Sequence, residues 1–187
     1  ATPWNNITSH QESSTSSWIK DAENNYTNIG VRVLGGFTAT HAGVGSEPAS
    51  PVTVDGVEFP LTAWKDGLLV RGEKNQGDVG PGRIEISQLD AARKYNFTIL
   101  AIRFNGSKDA RISSYKLIGK TESAVKEVKT GIKDVAAFNT ASFEEYIAKF
   151  ENIEPDSEGK VIVEVKGLDT GSAAEGHINA LCISLVK

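Results

Sequence analysis

Residues 95–104 of this 187-residue chain read YNFTILAIRF, and this run decides the fold class. It is apolar on both sides of an extended chain, with Phe97 and Ile99 on one side and Leu100 on the other. Strands of this kind usually lie in the middle of a sheet that is covered on both faces. The last apolar run, 178–186 (INALCISLV), has the same character, so we expect a second central strand there.

Other runs are apolar on one side only. Residues 29–34 (IGVRVL), 83–87 (RIEIS) and 160–166 (KVIVEVK) alternate apolar and polar side chains, as strands of antiparallel sheets with one wet face do. Gly, Asn, Asp and Ser clusters separate the runs, and about nine or ten strands at this spacing predict an all-β antiparallel sandwich. The remaining strand candidates are 52–59, 68–71, 111–118 and 123–129.

One segment, 142–150 (SFEEYIAKF), fits two structures. Ser142 and Glu145 form a capping-box pattern, and the apolar residues have helical spacing. The same stretch also alternates as a strand does. Local spacing favours a short helix.

The composition excludes several classes of function. The chain carries 20 Lys and Arg against 24 Asp and Glu, a net charge of −4, and its basic residues do not cluster, which argues against nucleic acid as a partner. No window approaches the roughly 18 consecutive apolar residues of a membrane-spanning helix. The single cysteine, Cys182, excludes an intrachain disulfide framework and a cysteine-based zinc cluster, and we expect it to be buried.

The beginning of the sequence suggests processing. The chain starts at Ala1 and contains no methionine. We therefore expect that an initiator and a leader are removed, and that the protein is exported to the periplasm, the cell surface or the medium. The length fits a single β-sandwich domain over residues 1–187.

The sequence contains no recognisable catalytic motif. The triplet 77–79 (GDV) lacks the serine of esterase motifs, and the three histidines stand in unrelated contexts. A glycosidase needs two carboxylates across a cleft, and 24 acidic residues single out no pair. The one acid inside an apolar run is Glu164, on the polar face of its strand. We expect that the protein is not an enzyme.

A calcium loop is the nearest approach to a metal site. Asp21, Glu23 and Asn25 have the spacing that opens such a loop. Tyr26 and Arg32 stand where it requires Gly and Glu, so we interpret the segment as a polar turn. We expect no cofactor, although a structural calcium bound by loop carbonyls would leave almost no sequence signature.

Three tryptophans in polar contexts are candidates for stacking on sugar rings: Trp4 (TPWNN), Trp18 (SSWIK) and Trp64 (TAWKD). Pyranose C–H faces pack on flat aromatic rings, and the neighbouring amides of Asn5 and Asn6 could bind hydroxyls. The alternative is that each tryptophan closes one end of the sandwich with its ring buried.

Two arginines and a histidine are further candidates. Arg103 interrupts the apolar run, and Arg111 follows after the loop FNGSKDA. A guanidinium donates paired hydrogen bonds to vicinal hydroxyls or to the carboxylate of an acidic sugar, and an internal salt bridge is the alternative. His177 precedes the last run and could line the same end of the sheet, or be a solvated loop histidine.

Several segments, taken in order, carry a resemblance. The chain resembles galactose-binding-like jelly-roll modules, which are similar to carbohydrate-binding modules and occur in secreted polysaccharide-processing proteins of gut bacteria. The matching segments are Pro3-Trp4-Asn5-Asn6; Ile19-Lys20-Asp21 with Asn28-Ile29-Gly30-Val31; residues 84–90 with Tyr95-Asn96-Phe97-Thr98; Arg103 with Arg111 and Tyr115; and Pro155-Asp156 and Gly159-Lys160 with Ile178-Asn179-Ala180-Leu181.

The resemblance implies both a fold and a function. The fold is an antiparallel β-sandwich of jelly-roll (galactose-binding-like) type with at most one short helix. A strand is expected over 146–152, and any helix is confined to 139–145. The function is a non-catalytic carbohydrate-binding module that binds poly- or oligosaccharide weakly. Its expected binding residues are Trp4, Asn5, Asn6, Trp18, Trp64, Arg103, Arg111 and His177.

Two other functions stay open. A structural or interaction module that supports a neighbouring catalytic domain or a surface complex would show an exposed apolar patch and buried tryptophans. A stand-alone esterase or glycosidase would need an acid pair or a Ser–His pair within hydrogen-bond reach in a concave pocket.

Overall fold

The structure of the protein is a computed structural model. It describes residues 4–42, 52–54, 56–60, 63, 66–74, 77–104, 111–132, 144–168 and 173–187. The strands are β1 (Thr15–Ser16), β2 (Gly30–Gly35), β3 (Ala39–Ala42), β4 (Val52–Val54), β5 (Val57–Phe59), β6 (Asp66–Lys74), β7 (Val79–Ser87), β8 (Tyr95–Leu100), β9 (Arg103–Phe104), β10 (Ile112–Ile118), β11 (Lys126–Lys129), β12 (Gly131–Ile132), β13 (Ile147–Ile153), β14 (Val161–Leu168), β15 (Ala173–Ile178) and β16 (Ala180–Leu185).

The strands form two layers around a shared core. One layer is a six-stranded sheet in the order β1-β2-β7-β14-β10-β11, and the other contains the three-stranded sheets β13-β8-β16 and β15-β6-β3. Neighbours such as β2 and β7 are distant in sequence because the chain crosses between layers, as in jelly rolls. The described strand pairs are antiparallel except for the short β9–β12 pair. The predicted all-β antiparallel sandwich is confirmed.

β8 lies at the centre of its sheet because it is apolar on both faces. Phe97 and Ile99 pack in the main core with the valines of β14. Leu100 belongs to a second apolar cluster, together with Phe59 of β5. All of these side chains are fully buried, which confirms the two-sided central strand expected from the sequence.

The valines of β14 face the core, as its alternation predicts, and they are fully buried. Glu164 on the opposite face is buried as well, because Arg83 of β7 donates from Nε to Oε1 at 2.8 Å. Burial alone would raise the pKa of Glu164, but the hydrogen bond from Arg83 and the charge of Lys116 outweigh it and lower that pKa. An ion pair between Arg83 and Glu164 therefore connects the outer face of β14 to β7.

The prediction of one central strand over 178–186 is wrong. The chain turns at Asn179, which separates β15 from β16. β16 is an edge strand of its sheet, and its residues 180–183 are half-buried and line a cavity between the layers, whereas Leu185 is exposed.

The segment around β13 agrees with the expectation from the resemblance. β13 covers Ile147–Ile153, and residues 144–146 form a single 3₁₀ turn. Residues 139–143 lie outside the described part of the chain. Within that described part, no helix is long and apolar enough to cross a membrane.

Glu154, directly after β13, is held by two lysines. Lys120 Nζ lies 2.9 Å from Oε2 and Lys94 Nζ lies 3.0 Å from Oε1. The hydrogen bonds from Lys120 and Lys94 lower the pKa of Glu154 from 4.5 to about 2. Because this pKa is depressed on folding, Glu154 stabilises the folded state above its unfolded pKa, and the contribution is lost as the pH falls towards the folded value.

We predict that Glu154→Gln makes the melting temperature fall less steeply between pH 5 and pH 2 than it does in the wild type. Thermal unfolding monitored by circular dichroism at a series of pH values measures this slope. Glu151→Gln, at an exposed glutamate on the same segment, is the control and should keep the wild-type slope. Equal slopes for the wild type and Glu154→Gln would contradict the prediction.

Candidate functional site

A cavity of about 780 Å³ opens between the two layers beside the edge strand β16. Small-molecule sites typically enclose about 300–1,000 Å³. Isoleucine and valine side chains of β2, β7 and β16 form its apolar wall, and the N-terminal segment 4–8 closes one side. The cavity therefore exists because β16 is an edge strand rather than a central one.

Trp4 supplies the aromatic part of the cavity wall. It is half-buried, and its ring packs at 40° against the ring of Phe59, with 5.3 Å between centroids. Phe59 is itself fully buried, so the core holds the indole in place. A fixed aromatic ring in a concave wall is suited to stacking against an apolar ligand face.

Asn5 holds the N-terminal segment in position. Its Oδ1 accepts the backbone N–H of Lys20 at 2.8 Å, and its Nδ2 donates to the backbone carbonyl of Lys20 at 2.9 Å. The side-chain amide of Asn5 thus makes the two hydrogen bonds to Lys20 that the backbone of a neighbouring strand would otherwise make. The amide of Asn5 is therefore bonded to the backbone of Lys20, and Asn5 also lines the cavity.

Polar and charged groups surround the cavity. The amide of Asn6 is exposed and makes no hydrogen bond to another described residue. Lys20, Asp21 and Asp66 also line the cavity, and they add one positive and two negative charges. Among the described residues, the cavity therefore combines an apolar wall, one aromatic ring and a polar rim.

The turn that begins at Asp21 is held by its own hydrogen bonds. Asp21 Oδ1 accepts the backbone N–H groups of Glu23 at 3.0 Å and Asn25 at 2.8 Å. This arrangement is an Asx turn, which agrees with the polar turn expected from the sequence. In the part of the chain that the structure describes, no three His, Cys, Asp or Glu side chains are grouped to hold a metal ion.

Trp18 is not among the described residues that line this wall. Trp18, two residues after β1, has a φ of 56° and is 68% exposed. Tyr26 is 74% exposed, and the Nζ of Lys20 lies 4.9 Å from its ring centroid. Trp64 lies outside the described residues. Trp4 and Trp18 therefore do not form one continuous stacking platform.

A buried ion cluster surrounds Glu175 of β15. Glu175 is 2% exposed and lies directly opposite Arg71 of β6, whose Nε donates to Oε1 at 2.7 Å. Arg103 and Arg111 contact Oε2 through their Nη1 atoms, Arg111 at 3.0 Å. Three guanidinium groups thus converge on one carboxylate.

Backbone hydrogen bonds bring Arg103 and Arg111 together. The N–H of Arg103 donates to the carbonyl of Thr130 at 2.6 Å, and the N–H of Thr130 donates to the carbonyl of Arg111 at 2.8 Å. Both arginine side chains are only 12% exposed. Both arginines therefore form internal salt bridges with Glu175. An internal salt bridge was the alternative that the sequence left open.

Positive charge predominates in this cluster. Burial, and then the charges of Arg111 and Arg71, lower the pKa of Arg103 from 12.5 to about 10. Both burial and neighbouring cations disfavour the charged form of a guanidinium. The side chain of Arg71 is 48% exposed, so the cluster reaches the surface on that side.

His177 is a buried strand residue, and its assignment as a loop residue that contacts sugar is wrong. Its side chain is 3% exposed, with Nε2 lying 3.3 Å from Oε2 of Glu175. Its backbone N–H donates to Oγ of Ser113 at 2.9 Å, and its carbonyl accepts the hydroxyl of Tyr115. Burial raises the pKa of the Tyr115 hydroxyl. His177 therefore anchors β15 to β10.

Two glycines allow β15 to lie directly against β14. A Cβ atom on Gly176 would lie 2.6 Å from the carbonyl carbon of Lys166, and one on Gly167 would lie 2.4 Å from that of Glu175. Side-chain carbons do not approach backbone atoms so closely. The position of Glu175 therefore depends on this close contact between backbones.

We predict that Gly176→Ala lowers the free energy of unfolding by about 1–3 kcal/mol, because the added methyl group must push the two strands apart. Urea denaturation measures the loss. Gly30→Ala is the matched strand control, since its Cβ would approach only the hydroxyl of Ser87, which can rotate away. A loss in Gly176→Ala no larger than that in Gly30→Ala would show that the close contact is not required.

The sequence analysis missed Arg71 and Glu175. Glu175 stands alone among small residues in SAAEGHINA, and a charge in that context is a signal of burial with a partner. Arg71 likewise follows the apolar run LLV of β6. Their pairing depends on the register of β15 on β6, which local patterns do not give.

Comparison with known proteins gives only distant structural likenesses. No family model matches the chain, and no curated protein matches it. Among solved structures, the chain is similar to TmCBM61, a carbohydrate-binding module solved in complex with β-1,4-galactotriose. The TM-score is 0.39 at 14% identity, covering 65% of this chain and 72% of that one. A TM-score of this size does not identify a common fold or ligand.

Proposed function

We propose that the protein is a non-catalytic carbohydrate-binding module of an exported or cell-surface protein, and that it binds a short saccharide in the cavity beside Trp4. One observation carries the proposal: a fixed indole, an apolar wall and a polar rim share one cavity. A sugar presents apolar C–H faces for stacking and hydroxyl groups for hydrogen bonds, so it uses all three features.

The binding residues follow from the geometry. Trp4 stacks on the sugar ring, and Asn6 bonds hydroxyls with both its donor and its acceptor atoms. Lys20 donates to hydroxyl oxygens and Asp66 accepts from hydroxyl protons at the same rim. Few polar groups face a well-hydrated ligand, so we expect a Kd of about 10⁻³ to 10⁻⁵ M.

The buried carboxylates support a non-catalytic role. A glycosidase acid needs a raised pKa so that it carries a proton near neutral pH. Glu164 has a lowered pKa, and Glu175 contacts three guanidinium groups. These two are the buried acids of the described residues, and both are paired with arginine side chains.

Glycan binding by the isolated chain tests the proposal. A panel of plant and mucin polysaccharides is screened on an array, and the positives are titrated by calorimetry with oligosaccharides of the same linkage. We expect at least one saccharide to bind in the millimolar to micromolar range. Absence of binding to every polysaccharide of the panel would overturn the proposal.

A second candidate function is an interaction module beside a neighbouring enzyme or surface complex. Trp18 and Tyr26, which are 68% and 74% exposed and do not line the cavity, supply the exposed apolar patch expected of such a module, although Trp18 is exposed rather than buried. Exposed aromatic side chains are enriched in protein–protein contacts. If this function is the correct one, Trp18→Ala weakens association with the neighbouring domain and leaves glycan binding unaffected.

A further inference from the structure

The cavity beside Trp4 has more aliphatic lining than one sugar ring can use. Ten of its described lining residues are Ile, Val or Leu. Leu68, Ile84 and Ile178 are buried core residues, so they form the inner surface of the cavity. A pyranose carries hydroxyl groups around its ring, and these groups would lose their hydrogen bonds to water against such a surface. The inner surface therefore suits an apolar group better than a sugar.

Both apolar clusters of the protein reach this cavity. Val31, Leu181 and Ile183 pack against the main core, and Val57 and Ala180 pack against the second cluster. All five residues line the cavity and are only half-buried. Covering apolar surface is favourable roughly in proportion to its area. A ligand with an apolar group would therefore gain affinity from a surface that a bare saccharide leaves uncovered.

The mouth of the cavity is polar. Asn6 and Asp66 line the cavity and are exposed, and Lys20 and Asp21 line it and are half-buried. Exposed lining residues lie at the opening, whereas buried ones lie inside. Among the described residues, the lining thus changes from polar and charged at the mouth to aliphatic inside. This division matches a ligand that has a polar group at one end and an apolar chain at the other.

We propose that the cavity binds a saccharide that carries an alkyl or acyl chain, with the sugar at the mouth beside Trp4 and the chain against Leu68, Ile84 and Ile178. The inference rests on the proposed function and narrows its ligand class. Such a chain makes no hydrogen bonds, so it enters an aliphatic cavity without the loss that a hydroxyl group suffers. Glycolipids and polysaccharides with acyl esters share this chemistry.

Calorimetry of the full chain with a series of alkyl glycosides tests the inference. The probes are methyl, butyl, hexyl and octyl β-glucosides and β-galactosides, each below its critical micelle concentration. We expect the affinity for at least one sugar to rise by about two- to fourfold for each added CH₂, as burial of a CH₂ group requires. Octanol, which is the chain without the sugar, should bind more weakly than the octyl glycoside.

The position of the chain on the sugar distinguishes the two sources of the ligand. Glucose and galactose with an octanoyl ester on the 6-hydroxyl are compared with the octyl glycosides of the same sugar. Tighter binding of the ester supports an acylated saccharide as the ligand. Equal or weaker binding of the ester supports a glycolipid, whose chain is attached at the anomeric carbon.

A matched pair of variants locates the chain. Val31→Thr keeps the shape of a cavity side chain and adds a hydroxyl group that a bound chain would separate from water. It should weaken binding of the octyl glycoside by about fivefold or more. Val125→Thr makes the same change at a valine that is 58% exposed and does not line the cavity, and it should keep the wild-type affinity within about twofold.

Methyl signals in NMR spectra of the wild type give a second readout. The octyl glycoside should shift the methyl signals of Ile84, which is 4% exposed and lines the inner surface, and leave those of Val125 in place. Circular dichroism shows whether each variant is folded. If Val31→Thr does not fold, the Ile84 signals decide the question, because a chain outside the cavity cannot reach them.

The outcomes separate this inference from the proposed function. Saccharide binding that does not change with chain length would overturn the inference and leave the proposed function standing. Binding that rises with chain length, without binding of any unsubstituted saccharide, would support the inference and limit the function to substituted sugars. Octanol binding as tightly as the octyl glycoside would overturn the inference, and so would equal effects of Val31→Thr and Val125→Thr or unshifted Ile84 signals.

Discussion

Glu175→Gln is expected to lower the free energy of unfolding by about 3–5 kcal/mol, which is the usual cost of removing one partner of a buried ion pair. The substitution keeps the shape of the side chain and removes its charge. Arg103 and Arg111, each 12% exposed, would then face each other and Arg71 without the carboxylate that they share. For a chain of this size, the loss corresponds to a fall in Tm of roughly 6–20 °C.

Urea denaturation of the wild type and the variant measures this loss. Glu164→Gln is the matched control, because Glu164 is also a buried glutamate on a strand and also pairs with an arginine. Its partner Arg83 is 52% exposed and can rehydrate, so the control should lose clearly less stability. Equal losses in the two variants would show that the convergence of three arginines does not set the stability of this end of the sandwich.

Trp4→Ala is expected to weaken saccharide binding by about thirtyfold, since truncating an aromatic anchor in a buried site costs about 2 kcal/mol or more. Trp4 is the one aromatic side chain among the described residues of the cavity wall, and Phe59 fixes its ring. A wild-type Kd of about 10⁻⁵ M would rise to about 3 × 10⁻⁴ M, whereas a wild-type Kd of about 10⁻³ M would rise beyond the measurable range. Calorimetry with the best saccharide from the glycan screen provides the measurement.

Trp18→Ala is the control for this experiment. Trp18 is more exposed than Trp4 but does not line the cavity, so its removal should leave saccharide affinity within about twofold of the wild type. A large loss of saccharide affinity in Trp18→Ala, with unchanged affinity in Trp4→Ala, would show that the saccharide binds at the exposed surface around Trp18 and not in the cavity.

The fold could be predicted from the sequence where local alternation decides it. The run at 95–104 is apolar on both sides, and β8 is covered on both faces. The run at 178–186 looks the same, yet β16 is an edge strand that lines a cavity. Periodicity shows which faces are apolar, but whether a neighbouring strand or a cavity covers a face depends on the whole topology.

The candidate site was only partly predictable, for a related reason. Trp4 and Asn6 could be identified by residue type, because aromatic and amide side chains at a surface point to sugar. The structural role of Asn5 arises from contact with Lys20, fifteen positions away in sequence. The pairing of Glu175 with Arg71 spans 104 positions and depends on strand register, so no local pattern contains it.

The most direct test of binding at Trp4 is an NMR titration of the tryptophan indole N–H signals with the best saccharide from the glycan screen. The chain has three tryptophans, and single Trp→Phe variants assign their signals. We predict that the Trp4 indole signal shifts and saturates with the calorimetric Kd, while the Trp18 signal stays in place. A shift of the Trp18 signal with a stationary Trp4 signal would contradict binding in the cavity, and so would saturation without a shift of either.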